Sequence, residues 1–171
     1  MMYLLIASIL LVVLFVGTAI WRKRELPESI SALVYDLPEG GWRWLWTIWI
    51  WAVSLLTFIP VIDILDQRNM GYVGFFALAS MMFVGAWPLY QPQTRKAHYI
   101  GGVTAGILTQ ICVLLIFPWW LIIWFGLACV DISSRHAKEF PNWLSNKGIL
   151  LAEGVCFIAL IGAAFTKLLM S

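Results

Sequence analysis

Long apolar runs recur along this sequence, and each is about as long as a lipid bilayer is thick. A membrane-crossing helix needs about 20 predominantly apolar residues. Such runs occupy residues 3–21, 44–65, 71–90 and 148–169. Hydrophobic residues make up 62% of the chain and charged residues 12%, whereas a soluble domain has about 25% charged residues. The sequence therefore predicts an all-α polytopic transmembrane helix bundle, with residues 1–171 forming a single transmembrane domain.

A further apolar stretch, residues 99–132, is too long for one span. As a single helix it would be roughly 50 Å long, against a bilayer core of ~30 Å. Pro118, within "FPWW", removes a backbone donor and breaks a helix at that point. We expect two spans here, 99–117 and 118–132, which gives about six in all; one span with a re-entrant segment is the alternative.

The basic residues predict the orientation of the bundle. If the N-terminus is outside, nine of the eleven Lys and Arg residues fall on cytoplasmic loops, and only Arg68 and Lys167 fall elsewhere. The nine are Arg22, Lys23, Arg24, Arg43, Arg95, Lys96, Arg135, Lys138 and Lys147. The positive-inside rule favours this arrangement, so both termini are expected to be extracytoplasmic. Because "RKR" follows the first apolar run and no basic residue precedes it, we expect an anchor rather than a cleaved signal peptide.

The connection between the first two spans has the pattern of a short amphipathic helix at about residues 29–37. Its apolar residues recur at helical spacing: Ile30, Leu33, Val34 and Leu37. Ser29 is a candidate N-cap. The opposite face holds polar residues: Glu28, Ser31, Tyr35 and Asp36. Such a helix can lie at the membrane interface or cap the bundle, with its polar face turned to water or towards His98 and Glu153.

A few ionisable residues fall within or beside the spans, where charge is costly and often functional. Glu153 has no partner among its sequence neighbours, and the two histidines, His98 and His136, fall on the same predicted cytoplasmic side as Asp131. Histidines and carboxylates can hold a divalent metal with a position open for water. His98, His136, Asp131 and Glu153 are therefore the candidate metal ligands. A polar cap on the helix ends, without metal or catalysis, and a proton- or ion-conducting role are the competing interpretations.

Two further patterns concern packing. Tryptophans cluster near the span ends, which is typical of aromatic belts at the membrane interface, with an aromatic cage for a ligand cation as the alternative. The clusters are Trp42, Trp44, Trp46, Trp49 and Trp51 at the start of the second span, and Trp119, Trp120 and Trp124 around the hairpin. Gly102 and Gly106 form a G-x-x-x-G pattern beside Gly101 and Ala105, which favours close packing of the fourth span inside the bundle, or dimerisation as the alternative.

Several segments together resemble a known family. "PESISALVY" follows the first span, "FVGAWPLY" closes the third and "KAHYIGG" opens the fourth. In this order and spacing they resemble a family of small polytopic membrane proteins of Bacteroidetes-type bacteria and their phages, for which no activity is known. The resemblance covers most of residues 27–117 and implies a bacterial or prophage protein of the inner membrane.

No complete catalytic constellation emerges, so we expect a non-catalytic bundle with a partner-binding, sensing or transport-like role. A lipid-acting hydrolase is one alternative, with His98, Asp131, Glu153 and Ser31 as its candidate catalytic residues, and a small ion- or proton-conducting protein is the other. We expect no cofactor, with a divalent metal as a minor alternative. The partners expected are the lipid bilayer and a second copy or another membrane protein. A formal charge of +2 gives no reason to expect nucleic acid.

Overall fold

A computed structural model describes residues 1–37, 43–86, 95–136 and 147–170, with only the helical backbone described at 95 and 130–136. Throughout these ranges the regular structure is helical, with no strand, which confirms the all-α prediction. The α-helices are α1 Met2–Lys23, α2 Trp44–Asp66, α3 Gly71–Ala86, α4 Arg95–Ile116, α5 Ile122–His136 and α6 Gly148–Met170. Short 3-10 helices occupy Ser31–Asp36 and Pro118–Leu121.

Four of the described helices, α1, α2, α4 and α6, are long and apolar enough to cross a membrane. The apolar stretches Gly71–Ala86 and Pro118–Cys129 are shorter. The chain breaks between α4 and α5, where Phe117 leaves the helical conformation and Pro118 begins a 3-10 helix. Proline fits the first turn of a helix because it has no N–H to bond, so the break falls where the sequence predicts one.

Neighbouring helices run antiparallel from α1 to α4. Near the start of α2, Trp49 contacts Leu11 of α1 and Thr47 contacts Gly85 of α3, whereas near its end Arg68 reaches Leu115 of α4. One end of the bundle therefore carries the end of α1 and the starts of α2 and α4, and we call it the basic end. Residues 67–70 and 117–121 lie at the other, which we call the hairpin end.

Residues 29–37, which we call the strap, lie across the basic end. The Oγ atom of Ser29 accepts a hydrogen bond from the Ala32 N–H at 3.0 Å, as a capping serine does. The 3-10 helix that follows buries Leu33 and Val34 almost completely. In this segment the sequence predicts a two-turn helix; the structure has a 3-10 helix whose apolar side packs on the bundle.

The strap and α2 together form a distinct group of buried apolar side chains. This strap cluster consists of Leu33, Val34, Trp46, Trp49, Ile50 and Val53. A larger core, which includes Leu5, Val61, Val113 and Ala163, occupies the rest of the bundle. Phe157 of α6 packs against both groups and joins them.

Tryptophans of α2 lie inside the bundle as well as at its surface. Trp44 is 63% exposed, as a belt residue should be, but Trp46 is 1% exposed and Trp49 is 8% exposed. The ring of Trp49 stacks on Phe15 of α1 with a centroid distance of 4.4 Å, and its Nε1–H donates to the Leu11 carbonyl at 3.1 Å. The belt interpretation is therefore wrong for Trp46 and Trp49, which join α1 to α2.

Candidate functional site

Glu153 of α6 binds the N-terminal side of the strap. Its Oε2 atom accepts a hydrogen bond from the Ile30 N–H at 2.5 Å. The backbone N–H and the hydroxyl of Ser31 donate to the same carboxylate. The candidate residues Ser31 and Glu153 are therefore brought together, although 122 positions separate them in the sequence.

Serine hydroxyls extend this contact along the strap. The Oγ atoms of Ser29 and Ser31 lie 3.1 Å apart. Because the Ser31 hydroxyl gives its hydrogen to Glu153, Ser29 is the donor of the Ser29–Ser31 bond. A continuous hydrogen-bond chain therefore runs from the Ala32 N–H through Ser29 and Ser31 to the Glu153 carboxylate.

His98 has a different setting, at the junction of α3 and α4. Its side chain is 6% exposed and hydrogen-bonds to the backbone of Val84. Thr47 of α2 donates to the neighbouring carbonyl of Gly85 at 2.8 Å. His98 of α4 and Thr47 of α2 therefore both bond to the backbone of α3 close to Ala86, the last of its described residues. This contact joins the start of α4 to α3.

Asp131 and His136, the remaining candidates, fall on the backbone of α5. Their side chains lie outside the described residues, so their predicted roles remain predictions. Within the described part of the chain, no three His, Cys, Asp or Glu side chains are grouped closely enough to hold a metal ion.

A buried pair of hydroxyls that the sequence does not single out joins α1 to α2. The Oγ atom of Ser8 lies 2.7 Å from Oγ1 of Thr57 and 3.4 Å from the Val53 carbonyl oxygen. Ser8 is 0% exposed and Thr57 is 2% exposed. Apolar neighbours surround both residues in the sequence, so only the packing of the two helices indicates that they meet.

The G-x-x-x-G pattern of α4 does not form a close contact within the described bundle. A Cβ atom built on Gly102 or on Gly106 meets no described atom within 4 Å, and Gly102 is exposed. The preceding residue, Gly101, is the one that packs closely, against Phe83 and Val84 of α3. The predicted internal packing is therefore confirmed for Gly101 and for Ala105, which is 1% exposed, and it is wrong for Gly102 and Gly106 among the described helices.

The Glu153 side chain holds the strap to α6. Its carboxylate accepts bonds from consecutive backbone N–H groups, which are fixed donors that cannot release their protons. Carboxylate–N–H bonds of this kind are charge-assisted and stronger than those between neutral groups.

Comparison of the chain with protein-family models, curated proteins and solved structures finds no match.

Proposed function

We propose that this protein is a non-catalytic helical bundle of the bacterial inner membrane with a partner-binding, sensing or transport-like role. About six helices cross the bilayer, and both termini are extracytoplasmic. The observation that carries the proposal is that the candidate polar residues His98 and Glu153 form hydrogen bonds within the protein. His98 bonds to the backbone of α3 and Glu153 holds the strap.

The distribution of charge and apolar surface supports the membrane placement. Arg22, Lys23 and Arg24 are exposed at the basic end, which is the pattern of a cytoplasmic face. Large apolar side chains are exposed along the outside of α1 and α4, including Leu14, Val103 and Ile107. Lipid is the surrounding that such surfaces require. The resemblance to small polytopic proteins of bacteria and phages agrees with this location.

Metal analysis of the purified, detergent-solubilised protein separates this function from that of a metalloenzyme. We expect no stoichiometric divalent metal. We also expect His98→Ala to lower the stability by about 1–3 kcal/mol, because the Val84 carbonyl loses its partner in a buried position. His98→Asn, which retains a side-chain N–H donor, should recover part of that loss. Stoichiometric metal in the wild type that is absent from the stable His98→Asn variant would contradict the proposal.

A lipid-acting hydrolase is the second candidate, because the Ser31 hydroxyl donates to the Glu153 carboxylate as a nucleophile donates to a base. Reconstitution with ester- and amide-linked phospholipids distinguishes the two functions. The bundle proposal predicts the same lipid composition after incubation with the wild type and with Ser31→Ala. Release of fatty acid by the wild type, lost in a folded Ser31→Ala variant, would establish the hydrolase instead.

A further inference from the structure

The strap is attached to the bundle through chemically different contacts on its two sides. On the outer side, Lys23 forms an ion pair with Asp36, and both ends of that contact are partly solvated. On the inner side, the Glu153 carboxylate of α6 binds Ile30 and Ser31. Exposed ion pairs contribute little, so the inner contact is the stronger attachment of the two.

The inner contact depends on the charge of Glu153. Among the described residues, Glu153 forms no ion pair with Lys, Arg or His, and the N–H and O–H donors of the strap are the groups that stabilise its ionised form. A neutral side chain at this position has weaker bonds to those donors. Neutralising Glu153 therefore weakens the attachment of the strap and leaves the apolar packing of α6 in place.

The strap cluster also contains a buried donor without a described partner. Trp46 is 1% exposed, and its Nε1–H has no hydrogen-bond partner in the described structure. A buried donor without a partner destabilises the arrangement that buries it. Trp46 belongs to the same cluster as Leu33 and Val34 of the strap, so opening of the strap would loosen the packing of the cluster that contains this indole.

α6 is linked to the strap at a second point as well. Phe157, one turn beyond Glu153, packs against the strap cluster. A shift of α6 would therefore change two things at once: the hydrogen bonds between Glu153 and the strap, and the packing of Phe157 against the strap cluster.

From these contacts we propose that the strap is a conformational latch, held closed by the Glu153 carboxylate and opened when that carboxylate is neutralised or displaced by movement of α6. The latch couples the interior of the bundle to its basic end. It requires only the folded chain, so it stands or falls independently of the proposed function.

Hydrogen–deuterium exchange on the full-length protein in lipid nanodiscs tests the latch. In Glu153→Gln we expect amide exchange over residues 29–37 to rise about tenfold, with exchange in α2 and α3 unchanged, because only the strap loses its charge-assisted bonds. The matched control is Asp36→Asn, which removes the outer ion pair from the same strap. We expect its exchange to stay within about twofold of the wild type.

Strap exchange within twofold of the wild type in Glu153→Gln would overturn the latch, as would an equal rise in Asp36→Asn. If Glu153→Gln raises exchange throughout the protein, the strap exchange of Ser31→Ala tests the latch instead. This variant removes one hydroxyl from the contact and leaves the carboxylate in place. A rise confined to the strap supports the latch, and unchanged strap exchange in Ser31→Ala overturns it.

Discussion

Gly162 of α6 lies against the indole ring of Trp120, which allows a sharp test of packing at the scale of one residue. A Cβ atom at Gly162 would come within 2.6 Å of several ring atoms. The ring has little freedom to move, because its Nε1–H donates to Oγ1 of Thr166 at 3.0 Å. We expect Gly162→Ala to destabilise the protein by about 1–3 kcal/mol through overpacking, as measured by unfolding in mixed detergent micelles.

Gly154, on the same helix, is the matched control for this substitution. A Cβ atom there meets no described atom within 4 Å. Since alanine has the higher helix propensity, by up to about 1 kcal/mol, Gly154→Ala should be neutral or slightly stabilising. Equal destabilisation by the two substitutions would show that the loss of glycine's backbone flexibility in α6 is the cause. The contact with Trp120 would then not explain the effect of Gly162→Ala.

At this scale the sequence identifies residues better than it identifies their partners. Glu153 can be recognised because a carboxylate within an apolar run is energetically costly. Its partner Ile30 contributes a backbone N–H, which every residue except proline possesses, so no side-chain pattern points to the contact. His98 is likewise recognisable as an ionisable residue, but its partner is the backbone of Val84.

At the scale of helices, the hydroxyl contact between Ser8 and Thr57 makes the docking of α1 on α2 measurable. Interhelical hydrogen bonds of this type in membranes contribute about 0.6 kcal/mol on average and up to about 1.7. We expect Ser8→Ala to destabilise the protein towards the upper figure, because Thr57 would remain buried without its Ser8 partner. Thermal unfolding in detergent measures the change.

Thr18→Ala provides the comparison within the same helix. The Thr18 hydroxyl is exposed and donates to the Leu14 carbonyl of its own helix. Its loss should leave the docking of α1 unaffected and change the stability by less than about 0.5 kcal/mol. If Thr18→Ala were as destabilising as Ser8→Ala, the effect would reflect α1 itself and not its contact with α2.

Helix positions follow closely from apolar run length, because in a membrane the hydrocarbon thickness sets the length of each element. α2 at Trp44–Asp66 and α6 at Gly148–Met170 nearly coincide with the predicted spans 44–65 and 148–169. α3 has 16 described residues, which corresponds to about 24 Å. Residues 87–90, the rest of the predicted third span 71–90, lie outside the described residues.

At the scale of the whole molecule, the alternating direction of consecutive helices brings distant residues to one end. Ile30 and Glu153 meet at the basic end because the strap follows α1 there and α6 begins there. Hydropathy predicts this shared end, since each crossing reverses the chain. It does not predict which helices are neighbours, because several arrangements of six helices share the same loops. The sequence therefore does not predict the contact between the strap and α6, and the structure shows it.

The proposed orientation makes opposite predictions for the two ends of the bundle. Glu28 at the basic end and Gln67 at the hairpin end are both exposed polar residues, so a cysteine can replace either with little cost. All three native cysteines, of which Cys129 is exposed, would first be replaced by alanine. In spheroplasts, a membrane-impermeant maleimide should label Gln67→Cys at once and Glu28→Cys only after permeabilisation.

This outcome is expected because the exposed arginines and lysines of the basic end favour the cytoplasmic side. Labelling of Glu28→Cys from outside, with Gln67→Cys protected, would invert the proposed topology. Labelling of both from outside would require the chain to cross the membrane an even number of times between residues 28 and 67. The described α2, Trp44–Asp66, is the one helix in that interval long enough to cross. Both labelled would therefore mean that α2 does not cross the membrane, and the six-span bundle would be abandoned.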